Sequence, residues 1–530
     1  MSKKLLNFLY LSIILILSIF FRFWKLNKIP PGLYPDVAIN GNEAFFSLKN
    51  KDFKVFYPEN YGREGLMIWL IALSFKIFGV SVLSIRIVAA TIGVLTVLGL
   101  YLLTKELFRQ STIYNLQFAI KIALFSSFFL AVSFWHTNLS RIGFRAILLP
   151  FVLVFSFYFL LKSFRKKSIF DSILAGIFFG FGFYTYTSFR MAVLILPFVF
   201  VPFWFLYKRG GFQKRFLLLT SFFLLSTFFV ALPIGIYFLK NPQDFISRAT
   251  PVSIFTAENP AKEFLKSLIL HLGMFNFYGD PNWRHNFSRK PMLFFPVGIL
   301  FLIGIIVSIN ELIKFRKHKN LSLVIGYWLL VIWFLIMLLP GILTREGIPH
   351  SLRVIGVIPP VFIFSGLGAF WIYQILEEKI KNKTVFYALI FLFLLPVLIF
   401  EFNKYFSIWA KRPEVKSEFT REYLEMGEYL NSLPEDYEKY VIVNRSGVPV
   451  SWASNIPMPA QTIMFLEISK YGEIKSKYLL PKDIERIKIE KRGVILLLIC
   501  DPDLIEKLKI LFPEGKIKET KDFCAYEIEK

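Results

Sequence analysis

Apolar runs long enough to cross a bilayer recur along most of the chain, and no other feature constrains its fold as much. Roughly eleven stretches approach the 17–25 residues that span the hydrocarbon core. They are Leu5–Phe23, Leu83–Thr104, Ala119–Trp135, Ala146–Leu161, Ser172–Ser188, Met191–Tyr207, Phe216–Leu239, Met292–Ile309, Leu321–Leu339, Val354–Ile375 and Val385–Phe400. A helix satisfies its own backbone groups across such a length. The expected class is therefore a polytopic α-helical membrane protein. Only 19% of the residues are charged and 63 of the 530 are phenylalanine, which excludes a water-soluble reading. The apolar segment Leu66–Phe78 is too short to span and reads as interfacial or re-entrant.

That reading of Leu66–Phe78 sets the orientation. With Lys3 and Lys4 inside, the connectors that fall inside carry Lys105/Arg109/Lys121, Lys162/Arg165/Lys166/Lys167, Lys208/Arg209/Lys214/Arg215, Lys314/Arg316/Lys317/Lys319 and Lys379/Lys381/Lys383. All are basic, as cytoplasmic loops are. The net charge of +25 is thus accounted for by membrane topology and lipid headgroups, and nucleic-acid binding is excluded as the function. No small-residue cleavage site follows Leu5–Phe23, so it reads as an uncleaved first span in a multi-pass plasma-membrane protein. The outer face then carries the loop from Trp24 to about Val82, turns at His136–Arg145 and Tyr184–Arg190, loops Lys240–Lys290 and Gly341–Arg353, and the tail from Asn403.

The expected organisation is a membrane domain over 1–402 and a small extracytoplasmic α/β domain over 403–530. In the tail, Glu414–Leu433 and Asp503–Phe512 read as helices, and Tyr440–Asn444, Gly493–Cys500 and Ala525–Glu529 as strands. Both cysteines, Cys500 and Cys524, lie there; an oxidising compartment permits a disulfide without requiring one, and two unpaired residues are the expectation.

Asp36 is the most pointed residue in the first outer loop. It follows the rigid Pro30-Pro31-Gly32-Leu33-Tyr34-Pro35 approach and precedes a short helix, Val37–Leu48. On residues alone it is either that helix's N-cap or a general base beside the lipid headgroups. Outer-face cations form a second group: Arg63, Arg141, Arg145, Arg190, Arg284 and Arg353. Guanidinium is suited to a phosphate, and long cations also snorkel at helix ends. Arg141 and Arg145, four apart, would share a helix face. His136, His285 and His350, with Asp36 or Asp280, admit a divalent ion, but no zinc-like spacing is present and no metal site is assigned. Tyr186 beside Arg190 suits a sugar or a prenyl chain, and Asp280 reads as a turn residue that could cap a substrate.

Several of these motifs together resemble the C-type membrane glycosyltransferase superfamily, in its family 39 branch of protein O-mannosyltransferases and aminoarabinose transferases. The resemblance rests on Pro31-Gly32-Leu33-Tyr34-Pro35-Asp36-Val37-Ala38, Asn60-Tyr61-Gly62-Arg63-Glu64, Trp135-His136 with Ser140–Arg145, and Tyr184-Thr185-Tyr186. It continues through Gly279-Asp280-Pro281-Asn282 with Arg284-His285-Asn286, and Gly347–Arg353. It covers the first four hundred residues and not the tail. The acid that often follows the loop aspartate in the family is Val37 here, and the proline after the second acid is Gly65.

The resemblance implies a sugar donor on a polyprenyl phosphate, an extracytoplasmic acceptor and an inverting transfer, hexosyl or pentosyl, with Asp36 as base. Arg63, Glu64, His136, Arg141, Arg145, Tyr186, Arg190, Asp280, Arg284, His285, His350 and Arg353 are the expected substrate and lipid-phosphate contacts. Two other classes stand beside this reading. A transporter or lipid flippase would place charges or broken helices at mid-membrane, where these spans are apolar. A non-enzymatic envelope scaffold would have no need of Asp36.

Overall fold

The computed structural model describes residues 2–109, 116–246, 252–318, 324–520 and 523–529. Lys319 and the first residues of the expected span Leu321–Leu339 lie outside these. Among the described residues nine helices are long and apolar enough to cross a membrane, and a tenth span exists if one bent pair is counted as a unit. The chain is a multi-pass helical membrane protein.

Two spans differ from the sequence expectation. Ala119–Trp135 is expected as a span; in the structure Leu116–Val132 breaks and resumes as Phe134–Ile142 at 56°. The break is at Ser133, whose backbone is extended and whose side chain accepts from the His136 N–H as a new N-cap. The expected turn at His136–Arg145 is therefore largely helix. Ser172–Ser188 likewise shortens to Ile169–Gly182; the Thr185 hydroxyl donates to the Gly182 carbonyl at 2.6 Å, and a tighter helix starts at Thr187. Leu66–Phe78 is a 13-residue apolar helix, short as expected.

The chain clusters into two compact units: Met1–Trp24 with Ala89–Trp409, and Lys25–Val88 with Ala410–Lys530. The first outer loop, grouped in the sequence reading with the membrane domain, clusters here with the tail. In the first unit, helices Phe295–His318 and Ile358–Lys379 approach through glycines. A Cβ on Gly304 would lie 1.8 Å from the Phe364 carbonyl oxygen, and one on Gly368 2.0 Å from that of Leu300. Small residues replace the missing hydrophobic drive between helices in lipid by letting backbones touch.

In the second unit a five-stranded sheet has the order Lys477–Leu479, Glu438–Ile442, Arg492–Leu497, Cys524–Glu529, Lys516–Glu519, the first three parallel and the last two antiparallel to their neighbours. Its alternating residues bury both faces. Val441, Val494, Leu496 and Ala525 pack with Tyr423, Met426 and Ile463, while Ile442, Ile495, Leu497 and Tyr526 pack with Leu504 and Leu508. Helices on both faces are the usual cover for parallel strands. Cys500 and Cys524, expected to be unpaired, instead form a disulfide, because the end of strand Arg492–Leu497 and the start of strand Cys524–Glu529 bring their Cα atoms to 5.5 Å.

The expected helix Glu414–Leu433 is divided into Pro413–Glu418 and Arg421–Ser432, because Thr420 has a φ of +49°. The bend gives the first loop its seat. Thr420 and Thr462 hydroxyls both donate to the Leu33 carbonyl, at 3.1 and 2.8 Å, and Arg86 donates to the carbonyls of Leu26 and Gly32. A Cβ on Gly32 would fall 2.1 Å from the Phe419 oxygen, so only glycine fits that crossing.

Candidate active site

The chemistry-bearing side chains form two groups, one in each unit. In the second unit Asp36 is the second residue of helix Pro35–Asn50. Its N-cap is Tyr34, which makes no side-chain capping bond, so Asp36 is not the cap. The carboxylate is half-buried and its Oδ1 accepts from Asn60 Nδ2 at 3.0 Å.

Asp36, Asn40, Glu43 and Ser47 follow one another at i, i+4, i+7 and i+11, one stripe of the helix. The short hairpin Phe56–Tyr57/Arg63–Glu64 lies along that stripe. Asn60 meets Asp36; Arg63 donates to Asn40 Oδ1 at 2.9 Å and ion-pairs with Glu43 Oε2 at 2.6 Å; the Tyr57 and Ser47 hydroxyls bond at 2.8 Å. Burial pushes the Glu43 carboxyl up, against the lowering charge and hydrogen bond of Arg63. Arg63 is 1% exposed and its Nε donates to the Glu59 carbonyl at 3.3 Å, so its guanidinium is spent on this helix and the hairpin turn, and Glu64 beside it is buried. Asn40 and Glu43 carry no role in the sequence reading, and Asn60 enters it only as the first residue of the Asn60–Glu64 motif. The spacing of Asn40 and Glu43 from Asp36 was the available signal.

In the first unit the segments read as outer loops are tied to one another. Asn138 on helix Phe134–Ile142 donates to the Arg284 carbonyl at 2.6 Å, and the rings of Phe144 and His285 lie 6.2 Å apart. Asp280 Oδ2 accepts from the Ser351 N–H at 2.7 Å, from its hydroxyl at 2.9 Å and from His285 Nδ1 at 3.3 Å, and His350 Nδ1 lies 3.9 Å away. Ser188 donates to the Arg353 carbonyl, and Arg145 lies over the Tyr186 ring at 5.6 Å. The Arg353 side chain donates to the Glu346 carbonyl at 2.8 Å.

Three expected contacts are placed elsewhere. Arg141 is fully buried and donates to the carbonyls of Phe21, Arg22 and Trp24, closing the end of the first span. It does not share a face with Arg145, because the helix stops at Gly143 with φ +100°. His136 is also buried, its Nδ1 2.7 Å from Arg22 Nη2. Arg22, unnoticed in the sequence, further donates to the Ala131 and Leu130 carbonyls at the break between helices. Arg190 donates to the Phe245 carbonyl and stacks on that ring.

One oxygen of Asp280 and ring nitrogens of His285 and His350 lie within 4.8 Å of one another, a set that could hold a divalent ion. Burial would raise the Asp280 carboxyl, but the charge and hydrogen bond of His285, with His350 and the Asn282 N–H, hold it down at about 2. Burial and the His285 charge keep His350 well below the usual imidazole range, and burial lowers His271 to about 4. The fully buried Asp280 thus ties loop 279–290 to loop 347–353 in its charged form. Its folded pKa is depressed from 3.8, so the stabilisation is present above that value and lost as pH falls towards 2. Roughly 2 kcal/mol is expected from such a shift. Thermal unfolding in detergent between pH 5 and 2 checks this: Asp280→Asn should be less stable than wild type at pH 5, with the gap closing as pH falls.

Residues 66–234 match the family model described as dolichyl-phosphate-mannose-protein mannosyltransferase. No curated protein sequence matches the chain. Among solved structures, ArnT from Cupriavidus metallidurans bound to undecaprenyl phosphate is similar at 12% identity and a TM-score of 0.59, covering 99% of this chain and 98% of that one. The apo form of the same protein gives 10% identity and 0.56 over the same coverage. The Archaeoglobus fulgidus oligosaccharyltransferase tethered with an acceptor peptide aligns at 14% identity and 0.49, over 87% of this chain and 63% of that one. The chain thus shares its fold with ArnT over nearly its whole length, and residues 66–234 are similar to the dolichyl-phosphate-mannose-protein mannosyltransferase family.

Proposed function

We propose that the protein transfers a sugar from a polyprenyl-phosphate donor to a hydroxyl-bearing acceptor outside the membrane, with Asp36 as general base. The observation that carries the reading is the half-buried Asp36 carboxylate, held through Oδ1 by Asn60 at the head of a helix. Its other oxygen, Oδ2, has no hydrogen-bond partner among the described residues. The lipid phosphate bound by the similarly folded ArnT supports the donor class.

In the reaction Asp36 takes the proton of the acceptor hydroxyl. The oxygen's electron pair forms the new bond to the anomeric carbon while the bond to the phosphate oxygen breaks. Its electrons leave with the lipid phosphate, and attack from the opposite side inverts the anomeric centre. The leaving anion needs fixed cations in a water-poor site. Arg145, Arg284 and Arg353, each half-buried on the joined loops of the first unit, are the proposed contacts, with Tyr186 as the sugar or prenyl platform. Arg63 and Arg141 hold structure in this proposal.

The N-terminus is assigned to the cytoplasm and the tail to the outside. The basic connectors support this, as does the Cys500–Cys524 disulfide, since such bonds persist in oxidising compartments. The test uses purified protein in lipid with a panel of undecaprenyl-phosphate sugars. Donor consumption with release of undecaprenyl phosphate is the expected result. Neither binding nor turnover of any member would overturn the donor class.

A further inference from the structure

Residues 58–62 connect the two strands of the short hairpin, and three in succession are left-handed: Asn60 at φ +53°, Tyr61 at +62° and Gly62 at +87°. Glycine adopts such a backbone freely and asparagine tolerates it, whereas tyrosine does so at a steric cost. Tyr61 is 52% exposed, so burial does not account for the conformation. Surrounding contacts must hold strain of this kind in place. Here the Gly62 N–H bonds to the Glu59 carbonyl, and Arg63 and Tyr57 fasten both strands to helix Pro35–Asn50. What the turn delivers is the Asn60 amide, 8% exposed, against one oxygen of Asp36.

We propose that Asn60 is a positioning residue for the base, an inference that rests on the reading of Asp36 above. Its N–H donor occupies Oδ1, fixes the rotation of the carboxylate and leaves Oδ2 to receive the acceptor's proton. The carboxylate is oriented before the acceptor arrives, which is how preorganisation lowers a barrier. A turn serving the hairpin alone would have no need of a buried amide at this position.

Two variants keep the backbone and change the donor. Asn60→Gly preserves access to positive φ and removes the amide; Asn60→Asp keeps the shape and replaces the N–H donor by a second carboxylate oxygen. With the undecaprenyl-phosphate sugar consumed by wild type, kcat is expected to fall roughly tenfold or more in Asn60→Gly, and further in Asn60→Asp. The donor KM should stay within about twofold, because only orientation of the base is lost. A substrate-free readout accompanies this. Carbodiimide labelling of Asp36, followed by mass spectrometry, should change several-fold in Asn60→Gly once the carboxylate is released. Wild-type kcat in both variants, a raised KM at unchanged kcat, or unchanged labelling each overturn the proposal. If Asp36→Asn itself turns over donor like wild type, the base assignment has failed, and that outcome is distinct from the failure of Asn60.

Discussion

Asp36→Asn is expected to lower the rate of sugar transfer by about 10²- to 10⁴-fold, the usual contribution of a positioned general base. The substitution is close to isosteric. The carbonyl oxygen of the new amide can still accept from Asn60 Nδ2, so the contact that seats the hairpin on helix Pro35–Asn50 survives. Loss of rate therefore comes without loss of fold, and the donor KM should move little, since the base acts on the acceptor. Asp36→Glu keeps a carboxylate but carries it one methylene further; it should retain an intermediate rate. The measurements are kcat and KM in lipid together with the thermal unfolding midpoint of each variant. If Asp36→Asn stays within about twofold of wild type, the carboxylate serves the hairpin only and another base must be sought.

The parts of this molecule legible in the sequence are those encoded in short range. Membrane spans show themselves because apolar length is a one-dimensional property, and the tail strand Arg492–Leu497 because its apolar run is bounded by charged residues. Lys477–Leu479, with three residues and half-buried Tyr478 and Leu479, offers no such pattern. Individual site residues also stood out, since histidine, aspartate and arginine are conspicuous among phenylalanines. Their partners did not. Arg141 looked like a phosphate ligand because its partners are three main-chain carbonyls about 120 positions earlier, and main chain carries no residue signature. Asp280 meets Ser351 across 71 positions for the same reason. Asn40 and Glu43 lie midway: the stripe from Asp36 was readable, but the hairpin covering it depends on a left-handed Tyr61 that local propensity argues against.

The stripe also fixes where the fold is most vulnerable. Arg63→Met is expected to destabilise the second unit by about 3–5 kcal/mol, the cost of leaving one member of a buried ion pair alone. Arg63 and Glu43 are both nearly inaccessible, so water cannot replace the lost partner. Glu43 already has its carboxyl pushed up by burial, and removing Arg63 removes the charge that opposes that push; Lys54 and Glu59 are the other charges acting on it. The sign of the pH dependence follows. A carboxyl whose folded pKa is raised is tolerated while protonated and becomes costly as pH rises through that value. The destabilisation in Arg63→Met should therefore be smallest at acid pH and grow towards neutrality. Arg63→Met combined with Glu43→Leu takes out the charge with its partner, and much of the lost stability should return, because a well-packed apolar pair often equals a buried ion pair. Activity should not return with it. The hairpin in the double variant lacks the Arg63 contacts to Asn40 and Glu43 that steady the turn bearing Asn60, so the base is held less well. Thermal unfolding followed by tryptophan fluorescence from pH 4 to 8, alongside donor turnover, separates the two effects. Equal stability of Arg63→Met and wild type at neutral pH would mean that the ion pair does not bind the hairpin to the helix, and the account of how Asp36 is positioned would fall with it.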